Sequence, residues 1–441
     1  MYINDLQFLT ACSTFVNSNM FNCMFSDKKR NLKTNHPTVQ DMFQNLIKYE
    51  DVKDLVKKSI SSNSELIDFR LIPFSEDKLG YLGSHFSLIV TGRQPGHENE
   101  LRNFFLKTLP YEVPGQVAYV QEKGCFRKET KFFNLVVPLM TDNFRGERWV
   151  PKCYSAKHNV MIFKDMKPKG FSNRNRLLDE KCIEAAFECI ARMHASSLLA
   201  EEKFQGRSLR DLFPDVFEES EFLREGSSFT ALTVGVKLAI DLAKDMGLDS
   251  SNIQRAGERI FGVGQSSKTK SNVVCHGDLW SSNLIFDHAN HCRLVDFQMV
   301  RYLPPAHDLM LLLYYGAATE VRQHERQLVE HYYRVFIDTL ELNNFKGNVP
   351  GFEELLQGIA ELRLPALFTA VLYHPIVLLD TSTASKIMSN PTTCEAIFFG
   401  DRKSIVKDYM AKNHEYKKKI QENIKEFVDM SLLIDSIPEY T

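Results

Sequence analysis

The sequence predicts an α+β chain in two parts, a small lobe built on antiparallel strands followed by a larger, mainly helical lobe. Two observations carry this. Between about residues 65 and 109, runs such as Ser84–Thr91 alternate, with Phe86, Leu88 and Val90 on one face; beyond Met166 the apolar period lengthens to that of helices. At 441 residues, the chain also exceeds what one hydrophobic core usually serves.

Residues 1–36 mix Asn, Ser, Thr and aromatics without clear period and read as an N-terminal extension. Residues 37–163 form the expected first lobe. From Pro37 to Ile60, Met42, Phe43, Leu46, Ile47, Val52 and Leu55 fall at helical spacing. Strands follow at Glu65–Pro73 and Ser84–Thr91, joined by Asp77–Gly83, a turn carrying Gly80 and Gly83. Asn103–Leu109 reads as a further strand, residues 115–134 as helix, and Trp149–Met161 as more strand. Residues 164–441 form the second lobe. Its first helix is expected to start near Asp179 and to bury Leu178, Cys182, Ala186, Ile190 and Met193. Further helical patterns cover 230–262, 306–345, 353–375 and 394–434, with a kink or helix end at His374–Pro375. Lys417–Lys419 is expected to be a solvated helix face.

Composition narrows the function classes. The chain is 44% hydrophobic and 25% charged, which excludes wholesale disorder and fibrous architecture. With 54 basic against 56 acidic residues, there is no general electrostatic reason to expect nucleic acid or an anionic membrane as partner, and no protein partner is implied. Nine scattered cysteines without a C-x-x-C pair fit free thiols in a reducing, cytoplasmic setting. No run approaches the ~18 apolar residues of a spanning helix.

The chemistry is concentrated in His276-Gly277-Asp278-Leu279-Trp280-Ser281-Ser282-Asn283, followed by Val295-Asp296-Phe297-Gln298. Leu284–Phe286 and Cys292–Val295 read as two short strands around the turn Asp287–Asn290. A hairpin of that size returns Asn283 and Asp296 to one end, where an amide oxygen and a carboxylate suit one Mg²⁺. Asp278, five residues before Asn283, would stand beside the metal and accept a hydroxyl proton. A catalytic-loop Asp, an Asn five residues on and a second Asp for metal form the kinase arrangement, which implies ATP. In the first lobe, Gly80, Gly83 and Ser84 stand where backbone N–H groups can approach phosphates. Lys107, unusual among its apolar strand neighbours, and Glu129, on the helix after it, would form the pair that positions those phosphates.

Over most of its length, from about residue 40 to 430, the chain resembles the arthropod ecdysteroid kinase-like family. That family sits within the choline kinase and aminoglycoside phosphotransferase group of protein-kinase-like folds. The resemblance is carried by Phe105-Leu106-Lys107, Phe126-x-x-Glu129-x-x-Phe132-Phe133, Pro151–Tyr154, Ala191–Ala195, His276–Trp280, Val295–Gln298 and Asp308-Leu309. It implies a bilobal kinase fold with catalytic loop 276–283 and metal motif 296–298. It also implies that Asp308 braces the catalytic loop through His276, and that Phe163, Lys164 and Asp165 form the hinge that binds adenine. Lys164 departs from the Glu-Asp usual there, and His85 and Phe86 depart from the usual glycine-loop pattern.

Only eleven residues separate Asp296 from Asp308, too few for the activation loop and peptide platform of a protein kinase. The expectation is therefore an ATP- and Mg²⁺-dependent kinase acting on a small-molecule alcohol. The resemblance implies a lipophilic acceptor, such as an ecdysteroid or a detoxification metabolite. Two alternatives stand beside it: a pseudokinase-type binding or scaffold protein, and a choline- or ethanolamine-type kinase. The Gly262–Lys268 stretch lacks the ending of a phosphate loop and reads as a linker. His194 is expected to be a hydrogen-bonded structural histidine, and Trp280 to pack the catalytic loop.

Overall fold

The computed structural model describes residues 46–75, 83–111, 114–157 and 159–441. The extension 1–36, Met42, Phe43, Gly80 and most of the glycine turn lie outside these residues. The first lobe opens with α1 (Tyr49–Ser59), whose Val52, Leu55 and Val56 are buried. Their i, i+3, i+4 spacing puts all three on one stripe. Of the 37–60 pattern, residues 37–45 lie outside the described residues; Leu46 and Ile47 form a turn, Lys48 is extended, and α1 starts at Tyr49. Next come β1 (Glu65–Pro73), β2 (Ser84–Arg93) and β3 (Asn99–Thr108). Alternation along β2 buries Phe86, Leu88 and Val90 against α1.

Three helices follow, α2 (Pro114–Lys123), α3 (Cys125–Lys131) and α4 (Val137–Thr141), with a π-turn at Phe132–Val136 between the last two. Gly124, at φ +64°, ends α2 and breaks the single helix expected over 115–134. Strands β4 (Cys153–Lys157) and β5 (Val160–Lys164) then complete a five-stranded sheet of order β1-β2-β3-β5-β4, every neighbour antiparallel. Lys107 sits on β3 between His85 of β2 and Met161 of β5. Although α2–α4 belong in sequence to the first lobe, Val120, Phe126, Phe132, Phe133 and Met140 share the core of the second.

That second core is organised around α5 (Glu180–Glu202), which buries Cys182, Ala186, Ile190 and Met193 as the period indicated. Its N-cap is Asp179, whose side chain accepts from the Cys182 N–H at 2.9 Å. Beyond a short α6 (Leu209–Leu212) lie α7 (Gly226–Asp245) and α8 (Ile253–Glu258). Four short strands, β6 (Val273–Cys275), β7 (Leu284–Phe286), β8 (Cys292–Leu294) and β9 (Arg301–Leu303), make two antiparallel ribbons, β6 with β9 and β7 with β8.

The remainder is α9 (Ala306–Leu311) running into a π-turn at Leu312–Gly316, α10 (Glu325–Leu342), α11 (Phe352–Val377), α12 (Thr381–Ser389), α13 (Pro391–Phe399), α14 (Lys403–Lys412) and α15 (His414–Leu432). The helical patterns over 306–345 and 394–434 are therefore interrupted. Ala317 and Asn413 are both extended, and Asn413 caps α15 by accepting from the Tyr416 N–H. His374–Pro375 does not end α11, which runs on to Val377. The His374 ring is held by the Tyr315 carbonyl and by Asn423. Lys419 is another departure from expectation. It is buried and donates to the Thr319 hydroxyl at 2.8 Å, and burial lowers its pKa to about 8.

Among the described residues, α11 alone is long and apolar enough to cross a membrane, and 78% of its most apolar window is buried inside the protein. Its hydropathy serves the core.

Replacing Asp179 by alanine removes the acceptor at the start of α5. Asp179→Ala is expected to cost about 1 kcal/mol and to lower the urea midpoint, while Asp179→Ser keeps most of the stability. Equilibrium unfolding of the two variants beside the parent checks this.

Candidate active site

β3 carries Lys107 inward to a position that α3 and the loop after β8 approach from the other side. Its ammonium lies 2.5 Å from Glu129 Oε2 and 2.8 Å from Asp296 Oδ1. Burial by itself would lower the Lys107 pKa, but the two carboxylates outweigh it and hold the group above its ordinary value. One ammonium cannot fully neutralise two carboxylates. Asp296, despite burial, is kept below the usual carboxylate range by Lys107. Glu129 is pushed upward by burial and by the Asp296 charge, so Glu129 is the member that takes a proton first as pH falls. Its second oxygen accepts from the Phe297 N–H at 3.1 Å, which fixes α3 to the Asp296-Phe297 pair.

Asp296 has φ +67°, a left-handed conformation that Asp tolerates better than most residues. Phe297 secures it. The ring is fully buried, stacked on Phe132 at 4.9 Å and edge-on to Phe133 and Trp149 at 5.7 Å.

The catalytic loop connects β6 to β7. Asn283 donates from Nδ2 to both the backbone carbonyl and Oδ2 of Asp278, each at 2.8 Å. At the neck of the hairpin the Val295 N–H donates to the Asn283 carbonyl at 3.0 Å, so Asn283 and Asp296 leave the ribbon side by side. Asp278 lines the cavity and is half-buried. Burial first, and the Asp296 charge second, raise its pKa to about 7 against the pull of Asn283.

Asp308 braces this loop through His276, as the resemblance implies, and through Gly277 beside it. Its carboxylate accepts from the backbone N–H groups of His276 at 2.7 Å and Gly277 at 3.0 Å, and from His194 Nε2 at 3.2 Å. The brace runs through the backbone, not through the His276 imidazole. That ring donates from Nε2 to the Val295 carbonyl and accepts at Nδ1 from the Asp278 N–H. His194 is also held by Tyr332.

Gly277 has φ +78°, and a Cβ there would come within 2.2 Å of the Met299 carbonyl oxygen. Against the same glycine, Arg301 donates to the Gly277 carbonyl at 2.8 Å while pairing with Glu219 at 2.7 and 3.0 Å. Burial opposes ionisation of Glu219, but Arg301 holds its pKa down at about 2. Arg301 and Glu219 escaped the sequence reading. Arg301 carried a faint signal as a charge between Val300 and Leu303, whereas Glu219 is one of several acids in a row.

A cavity of about 540 Å³ brings these parts together. Gly83, Lys107, Glu129, Asp278, Asn283 and Asp296 line it, and so do Phe163, Lys164 and Asp165 at the end of β5. Ser84 is buried at the start of β2 and, like His276 and Asp308, does not line it. Gly80 lies outside the described residues. Lys164 is lowered from its ordinary pKa, by partial burial first and by the neighbouring Lys169 second. Trp280 lies against Tyr315, ring centres 6.2 Å apart, and also borders the cavity.

A small antiparallel lobe presenting a lysine, joined to a helical lobe presenting an Asp–Asn loop and an Asp-Phe motif, defines the protein-kinase-like fold class. Within that class, the model of the ecdysteroid kinase-like family matches residues 80–345, more than half of the sequence, and the chain belongs to that family. Solved structures similar to it include a spectinomycin phosphotransferase in complex with ADP and spectinomycin (12% identity over 87% of this chain and 98% of that one, TM-score 0.39). Others are a choline kinase from Streptococcus pneumoniae (11%, 86% and 98%, TM-score 0.38) and an ethanolamine kinase from Plasmodium vivax (11%, 90% and 96%, TM-score 0.35). No curated protein matches the sequence.

The raised pKa of Asp278 has a consequence for stability. Between about pH 4 and 7 the folded chain holds a proton here that the unfolded chain has lost, so stability falls as pH rises through that window. Asp278→Asn removes this penalty. The ligand-free variant is expected to melt higher than the parent at pH 7.5 and with no such advantage at pH 4, as thermal unfolding at both pH values would report.

Proposed function

We propose that this protein is an ATP- and Mg²⁺-dependent phosphotransferase that phosphorylates a hydroxyl group of a lipophilic small molecule. One observation supports the reading above the others: Lys107, Glu129, Asp278, Asn283 and Asp296 border one cavity that Leu311, Leu362, Ala366 and Ile376 also line.

The donor set suits the metal. Asn283 commits its Nδ2 to Asp278 and keeps an amide oxygen as ligand atom, and Asp296 offers a carboxylate, both hard oxygen donors of the kind Mg²⁺ prefers. When bound, the ion supplies neutralisation of phosphate charge. Lys107, held by Glu129, aligns the phosphates from the opposite lobe. Asp278 receives the acceptor's hydroxyl as a hydrogen bond and takes its proton late in transfer. A pKa near 7 suits a group that must both accept and release that proton. The end of β5, Phe163–Asp165, offers backbone groups to adenine. The seven described cysteines are all free thiols, which supports a reducing, cytoplasmic setting.

A cationic acceptor of the choline type is the second reading. It is favoured by Glu221, whose carboxylate lies on the cavity wall with Tyr119 and Tyr373, the groups an ammonium ion would need. A screen of steroid, choline and xenobiotic alcohols with labelled ATP, read by mass spectrometry for a phosphate gain, separates the two readings. Phosphate on none of them would leave a binding or scaffold role.

On the active acceptor, Asp296→Ala is expected to abolish Mg²⁺-dependent turnover, and Lys107→Met to impair it strongly while the protein stays folded. Asp278→Asn should lower kcat by about 10²-fold or more with ATP binding retained in a titration. Parental turnover in the Asp278 variant would sink the catalytic assignment.

A further inference from the structure

Beyond Asp278 the cavity becomes a chamber between two helices. From α9 and its π-turn, His307, Leu311 and Tyr315 face it at four-residue spacing. From α11, Leu362, Ala366, Thr369 and Tyr373 face it at the same kind of spacing. Leu311, Leu362 and Ala366 are apolar, and polar groups on the walls can be asked what they already bind.

Arg301 is spent on Glu219 and on the Gly277 carbonyl. The Thr369 hydroxyl donates to the Pro365 carbonyl at 3.0 Å. The Tyr373 hydroxyl donates to the Glu221 carboxylate. His307 differs. It is 7% exposed, and its Nε2 has no hydrogen-bond partner. A buried polar atom left without a partner is unfavourable and calls for an explanation; of the five such atoms among the described residues, His307 Nε2 belongs to a residue of the chamber wall. Burial first, and the Arg301 charge second, lower the His307 pKa to about 4. The ring is therefore neutral at physiological pH, and its Nε2 can pair with a hydroxyl whichever tautomer is present, because a hydroxyl both donates and accepts.

We infer that His307 is a specificity-determining residue that binds a second polar group of the acceptor, a hydroxyl or carbonyl remote from the hydroxyl that is phosphorylated. This rests on the kinase reading and narrows it: the acceptor is a lipophilic body with polar groups at two places, not a simple monoalcohol. A site built around a buried, unpaired hydrogen-bonding group favours the ligand that supplies the partner over the analogue that lacks it and leaves the imidazole unpaired.

The test uses the full-length protein saturated with ADP and Mg²⁺, and two probes on one rigid skeleton, 5α-androstan-3β-ol and 5α-androstane-3β,17β-diol. In calorimetric titration the parent protein is expected to bind the diol about tenfold or more tighter than the monoalcohol. His307→Phe should bring that ratio close to one, chiefly by weakening the diol, and His307→Gln, which keeps a polar terminus, should restore part of it. ADP binding by each variant reports that it is folded. Equal affinities for the two probes in the parent, no binding of either, or a preference that survives His307→Phe would overturn the inference. Phosphate transfer from ATP to the diol is scored separately. A preference in binding without transfer counts against the diol as phosphoryl acceptor and leaves the role of His307 in binding standing.

Discussion

One ammonium group stands where the two lobes meet. Lys107 leaves β3 of the sheet and ends between Glu129 and Asp296. Burying a lysine is unfavourable unless opposite charge accompanies it. With two carboxylates present, the cation is well satisfied and the negative charge is in excess. That excess is the site's resource. It holds Lys107 charged and adds to burial in raising the affinity of Asp278 for a proton, while Asp296 stays ionised because Lys107 faces it. A bound cation would meet a cluster already short of positive charge. The geometry of the cleft follows from the same contact, since α3 carries Glu129 and Phe297 is tied to Glu129 through its backbone N–H.

Around this contact the catalytic loop is shaped by groups that never enter the cavity. Asp308 gathers two consecutive backbone N–H groups, and Arg301 takes the Gly277 carbonyl between them and Asp278. The loop is thus gripped by its main chain from both sides. That explains why residue 277 is glycine: its positive φ and the Met299 carbonyl leave no space for a Cβ. It also leaves the His276 ring free for another task, orienting the Asp278 N–H and the Val295 carbonyl in one tautomer.

How much of this was legible in the sequence depended on the range of the interaction. The strand Glu65–Pro73 and the Asp179 start of α5 are set by alternation and by a capping side chain three residues from its target, so local pattern sufficed. The Asp278–Asn283–Asp296 spacing was readable for the same reason, because a short hairpin fixes the relation between its ends. Arg301 and Glu219 are separated by 82 positions, and nothing near Glu219 distinguishes it from the acids beside it. The three lysines at 417–419 look alike in sequence, and only packing against Thr319, a hundred residues earlier, buries the third. The chamber walls of α9 and α11 showed as helical period, but period says which residues share a face and not which cavity the face adjoins.

The anchoring of Phe297 bears on how such a protein can be controlled. Many signalling kinases turn off by swinging the aromatic ring beside the metal-binding aspartate out of its seat. Here the ring is enclosed by Phe132, Phe133, Trp149 and His276, and its backbone is hydrogen-bonded to the glutamate that holds the lysine. Moving it would open the core of the larger lobe and break the bridge between the lobes at once. With eleven residues between Asp296 and Asp308, there is no spare chain to absorb the motion. The seat of Phe297 is thus part of the core and not a movable latch.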